Sequence, residues 1–144
     1  MFSYTFPGEV PSKKNSKRIV YARGRAILLP SEKYKKWENV AQKEILTKGI
    51  PTAPLKAARL TIDIYHGDCI HRDTNNATQG IQDVLVDMGV IVDDNWMVIG
   101  SPDVRHFVDV ENPRMDVWVK EQEPYDWKQH FKQVRNSVKR ANKG

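Results

Sequence analysis

The hydrophobic pattern of the chain predicts several strands. Phe2, Tyr4 and Phe6 alternate with polar residues, as in a half-buried strand, and Pro7-Gly8 ends the alternation. Two short apolar runs flank Arg23-Gly24-Arg25, which predicts a hairpin with a basic tip. Further strands are predicted at 60–64, 104–109 and 115–119.

Helical periodicity appears in three places. Apolar residues at helical spacing follow Ser31, a candidate N-cap, as far as Gly49. A second apolar stripe covers 75–88, and Gly89 stands where a C-terminal cap belongs. The segment 124–144 places four apolar residues on one helical face and its Lys and Arg residues elsewhere: Trp127, Phe131, Val134 and Val138.

The order of these elements predicts an α+β fold, because strands and helices are mixed without strict alternation. We expect a small mixed sheet with two main helices in a domain of residues 1–123. The basic amphipathic tail, 124–144, would follow this domain. A chain of 144 residues is one domain's worth of sequence.

The charges are distributed unevenly along the chain. Residues 13–36 carry nine Lys and Arg against one acid, whereas residues 57–123 carry 13 acids against five bases. From 124 onward, six bases face one acid. Basic ends around an acidic centre suit a protein that holds a polyanion and presents a cation site to it, although a solvated surface can also be uneven.

Several classes of protein are disfavoured by the sequence. The single cysteine, Cys69, excludes an internal disulfide and is typical of a reducing compartment. No signal peptide begins the chain and no apolar run approaches a membrane span, so we expect a cytoplasmic protein without membrane association. The motifs of serine hydrolases, P-loop proteins and dinucleotide-binding proteins are missing from the sequence.

Acids at both ends of the second predicted helix form the first candidate site. Asp73 stands just before the helix, while Asp93 and Asp94 follow it on a segment that can return along it. Together these carboxylates suit Mg²⁺ or Mn²⁺. Taken singly, Asp73 is also a plausible N-cap, and the other two could form a polar turn. Asp83 lies about 12 Å along the helix from Asn75, too far to share a metal ion with Asp73, and we expect it to have a structural role.

A zinc site is the alternative metal centre. His66, Cys69 and His71 are closely spaced in the sequence. Structural zinc takes four ligands, however, and no second Cys or His pair stands nearby in the sequence. The hard oxygen ligands remain the preferred hypothesis.

Segment 72–94 resembles the RusA family of Holliday junction resolvases of bacteria and phages. The resemblance is carried by RDTNN at 72–76, QDVL at 82–85, Gly89 and VDD at 92–94. PSKKN at 11–15 and LPSEKYKKW at 29–37 are also similar to that family. The similarity extends loosely over about the first 120 residues. It implies the RusA fold and a homodimeric, magnesium-dependent endonuclease that binds and cuts four-way DNA junctions.

The resemblance also implies a set of site residues. The three metal-binding aspartates of the family fall on Asp73, Asn75 and Asp94, and its catalytic lysine falls on Gln79. Asn75 and Gln79 depart from the family pattern, which removes one carboxylate and one ammonium and leaves the net charge there unchanged. The implied site is therefore either retuned or inactive, and Arg72 could supply the missing cation.

The expected function is magnesium-dependent cleavage of branched DNA, with Mn²⁺ as a possible replacement metal. A junction-binding protein of the same fold without catalysis is the first alternative, and a general nucleic-acid binding module is the second. The residues expected to contact DNA phosphates are mostly basic and lie near the N-terminus, with one at the second helix: Lys13, Lys14, Asn15, Lys17, Arg18, Arg23, Arg25 and Arg72.

Overall fold

The architecture is seen in a computed structural model that describes residues 1–11, 18–29, 32–70, 72 and 74–143. For 18–22 and 27–29 it describes the backbone alone. Four strands form one mixed sheet in the order β1-β6-β4-β5. Their bounds are Phe2–Pro7 for β1, Ala58–His66 for β4, Asp103–Val108 for β5 and Arg114–Glu121 for β6. The α+β fold predicted from the sequence is therefore confirmed.

The pairing within the sheet combines both strand directions. β6 lies antiparallel to β1 and β4, whereas β4 and β5 are parallel. Because α2 (Thr74–Asp87) connects β4 to the parallel β5, the start of α2 faces the carboxyl end of β4. Ligands bind at this edge in many α/β sheets.

The core lies between one face of the sheet and the helices α1 (Glu32–Lys48) and α2. As the alternating pattern predicts, Tyr4 and Phe6 of β1 are buried. Trp37 of α1 contacts the Phe6 ring edge-on, with 5.9 Å between ring centroids. The buried stripe of α2 includes Ile81 and Leu85, which the helical spacing also predicts.

The C-terminal end of α2 has the geometry that Gly89 predicts. Gly89 adopts a positive φ of 75°, which costs glycine little because it lacks a Cβ. The Val90 N–H donates to the Leu85 carbonyl, and the Gly89 N–H donates to that of Val86. This pair of bonds is a Schellman cap, and it turns the chain back along the helix.

The predicted hairpin is also present, as a separate two-stranded sheet. β2 (Arg18–Ala22) and β3 (Arg25–Leu29) pair antiparallel, with Ala22 opposite Arg25. At the turn, Arg23 adopts a φ of 51°, a strained value for a residue with a Cβ. Arg23 and Arg25 are both exposed, so the tip presents two cations to solvent.

Two further helices complete the described part of the chain. The four-residue α3 (Trp96–Ile99), which the periodicity does not predict, begins where the Asn95 side chain accepts from the backbone N–H groups of Met97 and Val98. α4 (Trp127–Lys143) forms the tail and has no buried residue. Among the described residues, no helix is long and apolar enough to cross a membrane.

Candidate active site on helix α2

One face of α2 carries three polar side chains four residues apart. Asn75, Gln79 and Asp83 follow one another at this spacing, so they stack along the helix. The Gln79 side-chain Nε2 donates to Asp83 Oδ1 over 2.8 Å. Asp83 therefore belongs to the same polar face as Asn75 and Gln79, the two residues on which the resemblance to the RusA family would place an aspartate and a lysine.

Asp94 reaches this face from the segment that follows α2. Its carboxylate Oδ2 accepts a second hydrogen bond from Gln79 Nε2, over 3.1 Å. The return segment pairs with the chain at one isolated bridge, between Ile91 and Leu55, and is otherwise irregular. The two carboxylates of Asp83 and Asp94 are thus held by one amide nitrogen, in the second turn of the helix.

Asp93, the neighbouring acid, has a different role. Its carboxylate accepts from the backbone N–H of Asp94 at 2.8 Å and from the Asn95 side chain at 3.0 Å. These bonds, the backbone one first, hold the pKa of Asp93 below its usual range. Asp93 therefore shapes the turn, and its neighbour Asp94 is the acid presented to α2.

The electrostatic potential around this face is negative. Burial, and after it the negative charge of Asp83, raises the pKa of Tyr34, on α1, to about 12. Glu38 and Asp87 act in the same direction. A phenol whose deprotonation is opposed by three carboxylates indicates a local potential that favours cations.

Asp73, which the sequence predicts to be a metal ligand, lies outside the described residues, as do Lys13, Lys14, Asn15 and Lys17 and the side chain of Arg18. Within the part of the chain that the structure does describe, no group of three or more His, Cys, Asp or Glu side chains could hold a metal ion. The described residues therefore bring together Gln79, Asp83 and Asp94, with Asn75 one turn away on the same helix face.

The candidate zinc ligands also lie only partly within the described residues. Cys69 is a free, exposed thiol, and His71 lies outside the described residues. His66 uses both ring nitrogens in other contacts, with Glu9 and with His106. A zinc site at these three residues therefore remains a hypothesis that rests on their spacing in the sequence.

Arg72, expected to contact DNA or to supply a cation, is held by two acids. It donates to both oxygens of Asp68, over 2.6 and 2.9 Å. The hydrogen bonds from Arg72, and then that from the Ile70 N–H, hold the pKa of Asp68 at about 2. Arg72 Nε also lies 2.7 Å from Glu9 Oε2 in an ion pair. These contacts fix the residue immediately before Asp73.

A second polar network, at the carboxyl ends of β4 and β5, has no signature in the sequence. It contains Glu9, His66 and His106, which are far apart in the chain. No regular spacing links them, and the parallel pairing of β4 with β5 that brings the two histidines together was not predicted. From the sequence, the two histidines are recognisable only as potential metal ligands.

No protein-family model and no curated protein matches this chain. The resemblance of segment 72–94 to the RusA family therefore remains a prediction from its residues.

Proposed function

We propose that the protein is a cytoplasmic, magnesium-dependent endonuclease that binds four-way DNA junctions and hydrolyses their phosphodiester bonds. The observation that carries this proposal is the approach of Asp94 to the Asn75, Gln79 and Asp83 face of α2, with Gln79 donating to both acids. Carboxylates assembled at one point in an overall basic chain favour a bound cation beside a bound polyanion.

The donor set fits Mg²⁺ in its chemistry. Asp94 offers carboxylate oxygens and Asn75 a carbonyl oxygen, the hard ligands that this ion prefers. Asp73, one residue before α2, would add another carboxylate. When bound, the ion would stabilise the negative charge that develops on the phosphate during hydrolysis.

The two departures from the family pattern act at one place on the helix. Gln79 supplies a neutral donor between two carboxylates, where the resemblance implies an ammonium. Asn75 offers no charge to a cation. We propose that these residues retune the site towards weaker metal affinity and slower turnover, and that cleavage is retained.

The basic residues would bind the DNA backbone. Arg23 and Arg25 are exposed at the tip of the β2–β3 hairpin, which begins directly after the basic segment 13–18. Contacts of Lys and Arg with phosphates fix position and shape but read no base sequence. The same grip suits a branched substrate whose arms differ in sequence.

A homodimer is part of the proposal, because a junction offers two symmetric points of cleavage. The apolar stripe on α4 supports it. Phe131, Val134 and Val138 are exposed there, and Trp127 contacts Trp96 of α3 with 5.0 Å between ring centroids. Exposed apolar surface of this kind is typical of a protein interface, and we assign it to a second copy of this chain.

Junction binding without catalysis is the second candidate function. The absence of a charged group at Asn75 and of an ammonium at Gln79 favours it. Calorimetric titration with Mg²⁺ separates the two, since a nuclease requires metal binding that is weakened by Asp94→Asn.

The test of the proposal is a cleavage assay on a four-way junction, with and without Mg²⁺, beside a linear duplex and a single strand of the same sequence. The proposal requires metal-dependent cleavage of the junction in preference to both controls. Tight junction binding without cleavage at any Mg²⁺ or Mn²⁺ concentration would favour the binding protein. Equal affinity for all three DNAs at fixed salt would favour the general nucleic-acid module.

A further inference from the structure

A line of three side chains lies at the carboxyl ends of β4 and β5. Glu9 Oε1 is 2.7 Å from His66 Nδ1, and His66 Nε2 is 2.8 Å from His106 Nδ1. The two imidazole planes differ by only 13°, and their centroids are 5.1 Å apart. With a nitrogen of each ring in contact, the rings meet edge to edge, so the line runs from Glu9 through His66 to the exposed His106.

The inner end of this line is shielded and charged. The side chains of Glu9 and His66 are 19% and 24% exposed. Arg72 Nε forms an ion pair with Glu9 Oε2, which is buried. The Glu9 carboxylate, with a guanidinium beside it, acts as the acceptor at this end of the line.

These contacts allow one arrangement of protons when both imidazoles are neutral. His66 Nδ1 must carry a proton to donate to Glu9, which leaves a lone pair on His66 Nε2. His106 Nδ1 must then donate to that lone pair. The remaining nitrogen, His106 Nε2, therefore carries a lone pair at the exposed end of the line.

We propose that His106 Nε2 is the general base of this protein, with His66 and Glu9 as positioning residues, and that it accepts a proton from the water that attacks a phosphodiester. This inference rests on the proposed function. A histidine whose other nitrogen is oriented by a hydrogen-bonded partner, itself held by a carboxylate, follows the logic of hydrolase triads.

The position of the line supports this assignment. Both histidines lie on parallel strands near the edge that faces the start of α2, where ligands bind in open sheets of this kind. Arg72, which pairs with Glu9, immediately precedes Asp73 in the chain. In the sequence, Asp73 is therefore the neighbour of a residue that binds the inner end of the line.

The proposed step balances in atoms and charge. An O–H bond of water breaks, its proton moves to His106 Nε2, and the water oxygen forms a bond to phosphorus. The bond from phosphorus to the leaving oxygen breaks, and this oxygen takes a proton from solvent. Transfer of the Nδ1 proton from His106 to His66 places the positive charge beside the Glu9 carboxylate. This proton returns to His106 Nδ1 as His106 Nε2 releases its own proton to solvent, which restores two neutral rings.

Other charged groups around the line are already paired. Asp68 binds Arg72, and Asp109, whose N–H donates to the His66 carbonyl, pairs with Arg114 over 2.8 Å. Glu9 is thus the acid in direct contact with the imidazoles among the described residues. The pH dependence of the base should accordingly respond to Glu9 more than to Asp68 or Asp109.

Imidazole nitrogen NMR on the full chain tests the proton arrangement without any assay of activity. At a pH where both rings are neutral, we expect protons on Nδ1 of His66 and of His106 and a lone pair on His106 Nε2. A proton on His106 Nε2 under these conditions would overturn the proposal. Uptake of one Zn²⁺ that requires both His66 and His106 would also overturn it, by making the contact a pair of metal ligands.

The pH dependence of junction cleavage tests the role in catalysis. We expect His106→Gln to lower the rate by roughly 10²-fold or more and to remove the acidic limb of the profile. Glu9→Gln should move that limb to lower pH, because a carboxylate no longer stabilises the charged pair. His130→Gln, on α4, is the matched control and should leave the profile unchanged.

The outcomes separate this inference from the proposed function. If the wild type cuts junctions and His106→Gln cuts them with the same rate and profile, the base assignment is wrong and the nuclease proposal stands. If the wild type shows no metal-dependent cleavage, the proposed function and the base assignment fail together. A folded His106→Gln variant is identified by an unchanged circular dichroism spectrum.

Discussion

Gln79 donates to Asp94 over 3.1 Å, although 15 residues separate the two in sequence. The same nitrogen donates to Asp83 over 2.8 Å, so one neutral amide lies between two carboxylates. Carboxylates that share a neutral donor still repel one another. A cation at this position, either a bound metal ion or a charged side chain, would therefore reduce the repulsion between the two carboxylates.

Asn75→Asp should raise junction cleavage, most strongly at limiting Mg²⁺. A unit charge about 4 Å from a cation contributes on the order of 4 kcal/mol at an effective dielectric near 20, and desolvation reduces this gain. The rate is measured against Mg²⁺ concentration. Asn76→Asp adds the same charge to the next residue around the helix and should give a smaller gain. Equal gains from both variants would contradict a ligand role for Asn75.

Gln79→Lys, added to Asn75→Asp, should raise turnover at saturating Mg²⁺. The ammonium would lie between Asp83 and Asp94 in place of the amide, and could stabilise charge in the transition state. The comparison is between the single and double variants under single-turnover conditions. A double variant no faster than Asn75→Asp would show that an ammonium at position 79 stabilises the transition state no better than the amide of Gln79 does.

Replacing Lys13, Lys14 and Lys17 together by Gln should weaken junction binding and flatten its salt dependence. The slope of log affinity against log salt should fall by roughly 0.9 for each phosphate that these lysines no longer neutralise. The control replaces Lys43, Lys48 and Lys56 by Gln, which removes the same charge from outside the basic N-terminal segment. Identical slopes for the two variants would exclude segment 13–17 from the DNA interface.

Arg105→Gln should destabilise the fold by about 2 kcal/mol, because it leaves a buried carboxylate without its partner. Arg105 binds both oxygens of Asp63, whose side chain is only 5% exposed. Urea denaturation measures the effect. Arg59→Gln breaks a pair with the exposed Asp103 and should cost less than about 1 kcal/mol. A cost for Arg105→Gln no larger than for Arg59→Gln would refute the argument from burial.

Asp68 should titrate far below an ordinary aspartate, with a midpoint near pH 2 in the folded chain. A pKa lowered from 3.8 means that Asp68 favours the folded state above pH 3.8, and that this contribution is lost as the pH falls towards 2. Carboxyl NMR follows the titration. Arg72→Gln should move the midpoint back towards 3.8, whereas an unchanged midpoint would mean that Arg72 is not its cause.

Local pattern was enough to predict most elements of the fold. The alternation at Tyr4 and Phe6 identified a half-buried strand, and Gly89 identified the end of α2, because burial and capping depend on neighbouring residues. The parallel pairing of β4 with β5 could not be read in this way, since it depends on contacts between distant segments. α3 was missed because four residues are too few to show a helical period.

The candidate site was predictable in part, for the same reason. The spacing predicted that Asn75 and Gln79 lie on one face of α2. The rise of the helix predicted that Asp83 is too far from Asp73 to bind the same metal ion. The hydrogen bond between Gln79 and Asp94 required the cap at Gly89 and the irregular return segment, which spacing alone permits but does not dictate. The contact of His66 with His106 depends on the pairing of β4 with β5 and could not be predicted from the sequence.

The central claim is that Asp94, held against α2 by Gln79, binds the metal ion that cuts the junction. The most direct measurement is the rate of four-way junction cleavage against Mg²⁺ concentration for the wild type, Asp94→Asn and Asp93→Asn. Asp93→Asn removes the same charge one residue away and keeps an oxygen that can accept from the Asp94 N–H. We predict cleavage by the wild type and by Asp93→Asn, and none by Asp94→Asn. Junction affinity should stay within about tenfold, because Lys and Arg make the contacts with phosphate. Full metal-dependent cleavage by Asp94→Asn would contradict the central claim.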